Sequence, residues 1–301
     1  MTGRLSYGMP ETELQDQLRA LKRPRGHERR FLTVGDEVIR IDGLDRSLAG
    51  RLEERWGGFL LSGTRSEPYC TLQLFKSPER GWLERSPSGE RYRLEAVGDA
   101  DRRVIVSYKF AICSGGDPAV WRVATADSSE ESPERSLDNV LRYFTARLAI
   151  DRGGFAIHGA GVLNHGRAYL FAGPSRAGKS TAVALTGATS LGDDLALVVP
   201  GKTGWVAPAL PFDNSERIRH DPPPGLHPVA GIWRLHQARR TRVENPDGSL
   251  AVASLLGCTA FPWALPDLAD PLLEQVKRFV QQYHFAHLHF SKDADLWTHL
   301  A

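Results

Sequence analysis

Apolar and polar positions follow two different rhythms, one in each half of the chain. Across residues 31–110 short stretches alternate with a period of two: FLTVGDEVIRI, YCTLQLF, RYRLEAV and RRVIVSYKF, all rich in β-branched and aromatic side chains. That alternation predicts strands of an antiparallel sheet, and VGDADRR between the last two reads as a hairpin turn. Helical spacing interrupts the pattern twice. Leu14, Leu18 and Leu21 mark a short docking helix over 11–21, and Leu48, Leu52 and Trp56 mark another over 47–56. The stretch LKRPRGHERR after the first helix is basic and helix-breaking, and reads as a solvated linker. Residues 1–30 are therefore expected to form a helix and basic linker, and residues 31–130 a β-rich α+β domain.

A polar, acidic segment, ADSSEESPERS at 126–136, marks a domain boundary. Ser136 is placed to cap a helix whose buried stripe is Leu137, Val140, Leu141, Phe144 and Leu148. Beyond it the elements alternate: strand GFAIHGAGVL, turn NHGR, strand AYLFAG, a helix from Lys179, strand LALVV. This is α/β rhythm and sets residues 136–301 apart as a second domain. Six prolines between Pro208 and Pro228 predict a long irregular loop, after which GIWRL returns as a strand. A helix over 270–283 buries Leu272, Leu273, Val276, Phe279, Val280 and Tyr283, and HFAHLHF closes the chain as a strand.

The chemistry concentrates where the second rhythm begins. Gly173, Pro174, Ser175, Arg176, Ala177, Gly178, Lys179 and Ser180 match the phosphate-loop pattern GxxxxGK[ST] in full. AYLFAG runs into the loop as a strand and TAVALTGA runs out as a helix, the setting this mechanism requires. Glycines let successive N–H groups turn inward around phosphate oxygens, and the helix N-terminus adds partial positive charge. Lys179 is suited to the β and γ phosphates, and the Ser180 hydroxyl to Mg2+. Thirteen residues on, Asp193 and Asp194 stand together at a strand entry. One carboxylate can hold the metal shared with Ser180, and the other can take a proton from an attacking hydroxyl.

The order FAIHGAGVL, AYLFAGPSRAGKST, LGDDLALVV resembles the HPr kinase/phosphorylase family and its smaller relatives. The short step from phosphate loop to paired aspartates is a spacing that HPr kinases share with phosphoenolpyruvate carboxykinases. The resemblance covers residues 155–199 and implies an α/β P-loop kinase domain of that type. It implies that residues from Gly173 to Thr181 bind ATP phosphates, that Ser180 and Asp194 hold magnesium, that Asp193 is the catalytic base, and that His158 lies beside it. The implied reaction is Mg2+-dependent transfer of the ATP γ-phosphoryl group to a hydroxyl, serine on a peptide or small protein. A nucleotide-binding sensor that has lost catalysis, and a phosphorylase or ATPase on the same site, are the competing readings. The family's glutamate-arginine-glycine signature has only a weak counterpart in residues 212–217, and Arg176 stands where the family places a small residue.

Composition narrows the partners. Lys+Arg 38 against Asp+Glu 36 leaves a formal charge of +2, with no basic excess for nucleic acid, and no stretch is long and apolar enough for a membrane helix. Only seven of the 38 basic residues are lysine, and one of those is Lys179. Cys70, Cys113 and Cys258 are widely spaced with no CxxC pair, which with the leader-less N-terminus points to a cytoplasmic protein. Self-association into a homo-oligomer is left open. His284, His287 and His289 invite a metal site, yet a half-exposed edge strand explains them equally well. Arg217, Arg219, Arg234, Arg239 and Arg240 read mostly as solvated, though one could clamp the γ-phosphate or the acceptor, with Arg217 and Arg219 favoured. Trp205, Trp233, Trp263 and Trp297 read as packing residues.

Overall fold

The computed structural model describes residues 11–77, 82, 94–97, 103–107, 109–126, 132–212, 225–260, 268–292 and 295–300. The chain is a mixed α/β protein that divides into two compact units, Met1–Thr33 with Glu37–Leu141, and Val34–Asp36 with Arg142–Ala301.

The first unit holds helix α1 (Glu11–Ala20), strands β1 (Glu28–Val34) and β2 (Glu37–Leu44), helix α2 (Arg46–Trp56), and strands β3 (Leu60–Leu61), β4 (Cys70–Ser77), β5 (Glu95–Val97), β6 (Val104–Val106), β7 (Phe110–Ser114) and β8 (Val120–Ala126). They form one sheet in the order β3-β1-β2-β4-β8-β7-β6-β5. The expected all-antiparallel sheet is corrected here: β2 pairs with β4 and β4 with β8 in parallel. Parallel neighbours need a crossover between them, and α2 lies between β2 and β4 in the chain. Asp45 caps α2, its carboxylate accepting from the Leu48 N–H at 2.8 Å. The α1 leucines Leu14 and Leu18 are buried among Val104, Val106, Ala111, Cys113 and Ala124. The basic stretch is solvated at Lys22, Arg23, Pro24, His27 and Arg29 but is not a free linker: Arg25 pairs with Asp45 at 2.7 Å, its N–H donates to the Leu74 carbonyl, and β1 already begins at Glu28. β5 and β6 pair antiparallel as a hairpin requires, while its turn residues lie outside the described residues.

Helix α3 spans Pro133–Asp151 and carries the division between the units at Leu141/Arg142, so the boundary falls inside the helix rather than in the acidic segment before it. Residues 127–131 of that segment lie outside the described residues. Ser136 is fully buried inside the first turn and is not the cap; Pro133, whose missing N–H costs nothing at a helix start, opens the helix.

The second unit contains β9 (Phe155–Ile157), β10 (Gly159–Asn164), β11 (Arg167–Ala172), α4 (Lys179–Thr186), β12 (Thr189–Gly192), β13 (Ala196–Gly201), β14 (Gly204–Pro208), β15 (Leu226–Gln237), β16 (Arg242–Glu244), α5 (Gly248–Leu256), α6 (Ala269–Gln282) and β17 (Phe285–Phe290). Its sheet runs β12-β10-β11-β15-β14-β13-β9, with β17 on β15 and β16 on β17. The parallel centre is β11, β15 and β17. One face is packed by α4, where Ala182 and Val183 meet Phe171, Trp233, Leu235, Ala286, Leu288 and Phe290. The single strand expected over FAIHGAGVL is two strands broken at His158, β9 pairing with β13 and β10 with β11 and β12. Pro228 belongs to β15 rather than to a loop; it pairs with Val206 of β14, one residue before the ladder to β11 begins at Val229. A proline is tolerated there because its ring nitrogen is not called on to donate to β11. The rest of the expected loop, residues 213–224, lies outside the described residues together with Arg217, Arg219 and Trp263.

Candidate functional site

The loop that carries the GxxxxGK[ST] pattern leaves β11 at Ala172 and enters α4 at Lys179. Two backbone features shape it. Gly178 has φ 101°, and a Cβ there would lie 2.7 Å from the Phe290 ring, so only glycine fits. Arg176 adopts φ 68°, which costs a non-glycine residue about 1 kcal/mol. Its carbonyl accepts from the Gln237 side chain at 2.7 Å, an anchor from the end of β15 that offsets that strain. Pro174, Ser175 and Arg176 form the exposed tip, with Ala177 and Thr181 half-buried behind it.

Lys179 is buried and its ammonium donates to the Gly173 and Pro174 carbonyls at 3.0 and 3.1 Å, folded across the loop it serves. Burial pulls its pKa below the ordinary lysine value, while the charge of Asp193 works against the shift. A cation so desolvated and held only by carbonyls gains when a polyanion enters.

The two aspartates have different partners. Asp193, 4% exposed, has Oδ2 3.5 Å from the Ser180 hydroxyl. Asp194 forms an ion pair with Arg142 of α3, and its Oδ1 is 3.5 Å from His158 Nδ1. This reverses the expected pairing, in which Ser180 shared a metal with Asp194 while His158 stood by Asp193. The reason is local: Asp193 and Asp194 are successive residues at a bend between β12 and β13, and their side chains meet different neighbours there.

His158 is held from several sides. Its N–H donates to the Cys258 carbonyl at 2.7 Å, its carbonyl accepts from Gly173 N–H at 3.2 Å, and its Nδ1 lies 3.0 Å from the Asp194 carbonyl. The Gly159 N–H reaches that same carbonyl at 3.3 Å. The three motifs singled out in the sequence thus meet through one set of backbone bonds. Because a carbonyl can only accept, His158 Nδ1 carries the hydrogen, and in the neutral ring Nε2 holds the lone pair. The ring is 39% exposed, and in that tautomer Nε2 is its basic nitrogen.

Arg142 was not legible as a site residue, since it stands beside the apolar stripe of a helix. Its side chain is only 11% exposed. Replacing it with alanine would leave the Asp194 carboxylate without its cation and should destabilise the fold by about 3 kcal/mol in urea unfolding. Unchanged stability would show that Asp194 does not depend on the pair.

Donors suited to magnesium are present. Ser180 Oγ and Asp193 Oδ2 are hard oxygens too far apart for a strong mutual hydrogen bond. No group of three or more His, Cys, Asp or Glu among the described residues is arranged to hold a metal. The histidines near the C-terminus share a strand face as expected for His287 and His289, while His284 packs its ring against Trp233. The three cysteines are free and buried, and no helix among the described residues is long and apolar enough to cross a membrane. Compared with known proteins, the chain matches no family model and no curated protein.

Proposed function

We propose that the chain is a Mg2+-dependent phosphotransferase of the HPr-kinase type, moving the γ-phosphoryl group of ATP to a hydroxyl, a serine on a peptide or small protein. The observation that carries this reading is the convergence of Lys179, the Ser180–Asp193 pair and the His158–Asp194 pair around one phosphate loop. The loop amides and Lys179 bind the phosphates. Ser180 and Asp193 are the residues that would hold Mg2+, which when bound neutralises phosphate charge. Arg142 pairs with Asp194, and Asp194 orients His158. The acceptor hydroxyl oxygen bonds to the γ-phosphorus as the bond to the β-bridging oxygen breaks; ADP leaves and the hydroxyl proton passes to His158 Nε2. The base is thus read as His158 acting through Asp194, with Asp193 moved to the metal.

Incubation with Mg2+, ATP labelled at its γ-phosphate and a library of serine-containing peptides should place label on serine, and Lys179→Ala should remove it. Nucleotide binding with no transfer would leave a sensor, and label released only as free phosphate would leave a hydrolase.

A further inference from the structure

Beside the phosphate loop, on the sheet face opposite α4, four basic side chains form a cluster that the proposed chemistry does not use. β15 and β17 are parallel with Arg234 opposite His287 and His236 opposite His289. In both strands these residues alternate with the apolar ones packed on α4, so all four share the other face. The His236 ring is stacked on that of His289 at 4.8 Å between centroids and is 5.0 Å from that of His287. From the surrounding elements, Ser254 of α5 lies 3.1 Å from His287 Nε2, and Glu244 of β16 lies 3.2 Å from His289 Nε2 with Arg242 beside it. Two buried nitrogens, Arg234 Nε and His236 Nε2, make no hydrogen bond. A guanidinium N–H without a partner beside imidazole nitrogens is a donor set that an oxyanion can use.

The cluster adjoins the site already described. Arg234 is the strand partner of Ala172, the last residue before the loop. Cys258, whose carbonyl holds His158, feels the charges of both Arg234 and Lys179. Ligands of parallel α/β sheets bind at the carboxyl ends of the strands, where these residues stand. Burial, the neighbouring imidazoles and Arg234 hold His236 and His287 below the usual histidine pKa, with Glu244 opposing, and an anion would reverse that balance.

We propose that Arg234, His236, His287 and His289 form an oxyanion subsite that takes a carboxylate or phosphate carried by the phosphoryl acceptor. Its use for the acceptor rests on the phosphotransferase reading; the anion site itself does not. The acceptor is then a serine whose own chain or close neighbourhood supplies an anionic group, set by Arg234 so that its hydroxyl faces the loop.

The test follows the histidine ring nitrogens by NMR in the full chain, titrated separately with inorganic phosphate and with acetate. The Lys179→Ala variant serves as background, so that the loop does not compete for the probe. Phosphate or acetate should shift the His236, His287 and His289 signals, more tightly at lower pH, and whichever binds better identifies the acceptor's anion. Arg234→Gln should weaken that binding about 10–100-fold, the scale of a charge-assisted hydrogen bond, with Arg234→Lys in between. Histidine signals that ignore both anions, or shifts equal in Arg234→Gln, would overturn the subsite. Shifts that persist while the protein with Lys179 intact binds no nucleotide would instead retain the subsite and remove the kinase reading.

Discussion

Replacing Lys179 with alanine should weaken ATP binding about 10–100-fold and lower phosphoryl transfer a further 10²–10³-fold. The first loss is the charged contact to the phosphates; the second is the part of that contact made only as charge builds on the transferring group. The ammonium already lies among the loop carbonyls, so little reorganisation separates the free protein from the bound one. Its protonation adds a pH signature. Burial holds the Lys179 pKa below the ordinary 10.5, and phosphate favours the charged form. Nucleotide affinity should therefore be full while the free ammonium is protonated and fall as pH rises through that lowered pKa. Calorimetric titration with ATP across alkaline pH reads both effects. Lys179→Arg, which cannot lose its proton in this range, should bind weakly but without the alkaline decline. A wild-type affinity flat to high pH, or a Lys179→Ala variant that binds normally, would take Lys179 out of the phosphate site.

The strand, loop and helix around Lys179 were legible because the pattern is written in consecutive residues. A turn that must present amides needs glycine at fixed offsets, and Gly178 is enforced again by the Phe290 ring, a contact 112 positions away in the sequence that spacing cannot show. The strand faces were legible for the same reason: period two places His287 and His289 together whatever lies beyond them. What spacing could not reveal was which neighbour each of two adjacent aspartates meets. That depended on β10 leaving β9 at His158, a break inside an unbroken run of small and apolar residues. Helix α5 went unseen because SLAVASLL is nearly uniform, so no polar stripe marks its period. In the first unit the sheet was legible as strands but not as a mixed sheet, since alternation carries no information on direction. Ser136 was misread as a cap for a related reason: a serine before an apolar stripe looks alike whether the helix starts there or one turn earlier, and the proline at 133 decided it.

The sharpest separation between the two assignments of the proton acceptor comes from His158→Gln set against Asp193→Asn. With His158 as base, glutamine should lower kcat about 10²–10³-fold and leave ATP affinity within about twofold, because its Nδ1 bonds to the Asp194 carbonyl, outside the loop read as binding the phosphates. The sign of the pH effect follows from the tautomer. Nδ1 is already a donor to the Asp194 carbonyl, so Nε2 is basic only in the neutral ring, and wild-type activity should drop on the acid side as that ring gains its second proton. In His158→Gln this acid limb should vanish, leaving a low, flat profile. Asp193→Asn should behave differently: the limb stays, the rate falls, and the Mg2+ concentration for half-maximal activity rises, because the carboxylate beside Ser180 has lost its charge. The reverse pattern, an acid limb kept in His158→Gln and lost in Asp193→Asn with the Mg2+ requirement unmoved, would return the base to Asp193. Asp194 would then hold the loop and the histidine in place without handling the proton. Asp194→Asn discriminates further: it keeps the backbone carbonyl that fixes the tautomer but removes the charge that stabilises a protonated ring. If His158 is the base, this variant should shift the acid limb to lower pH rather than abolish it.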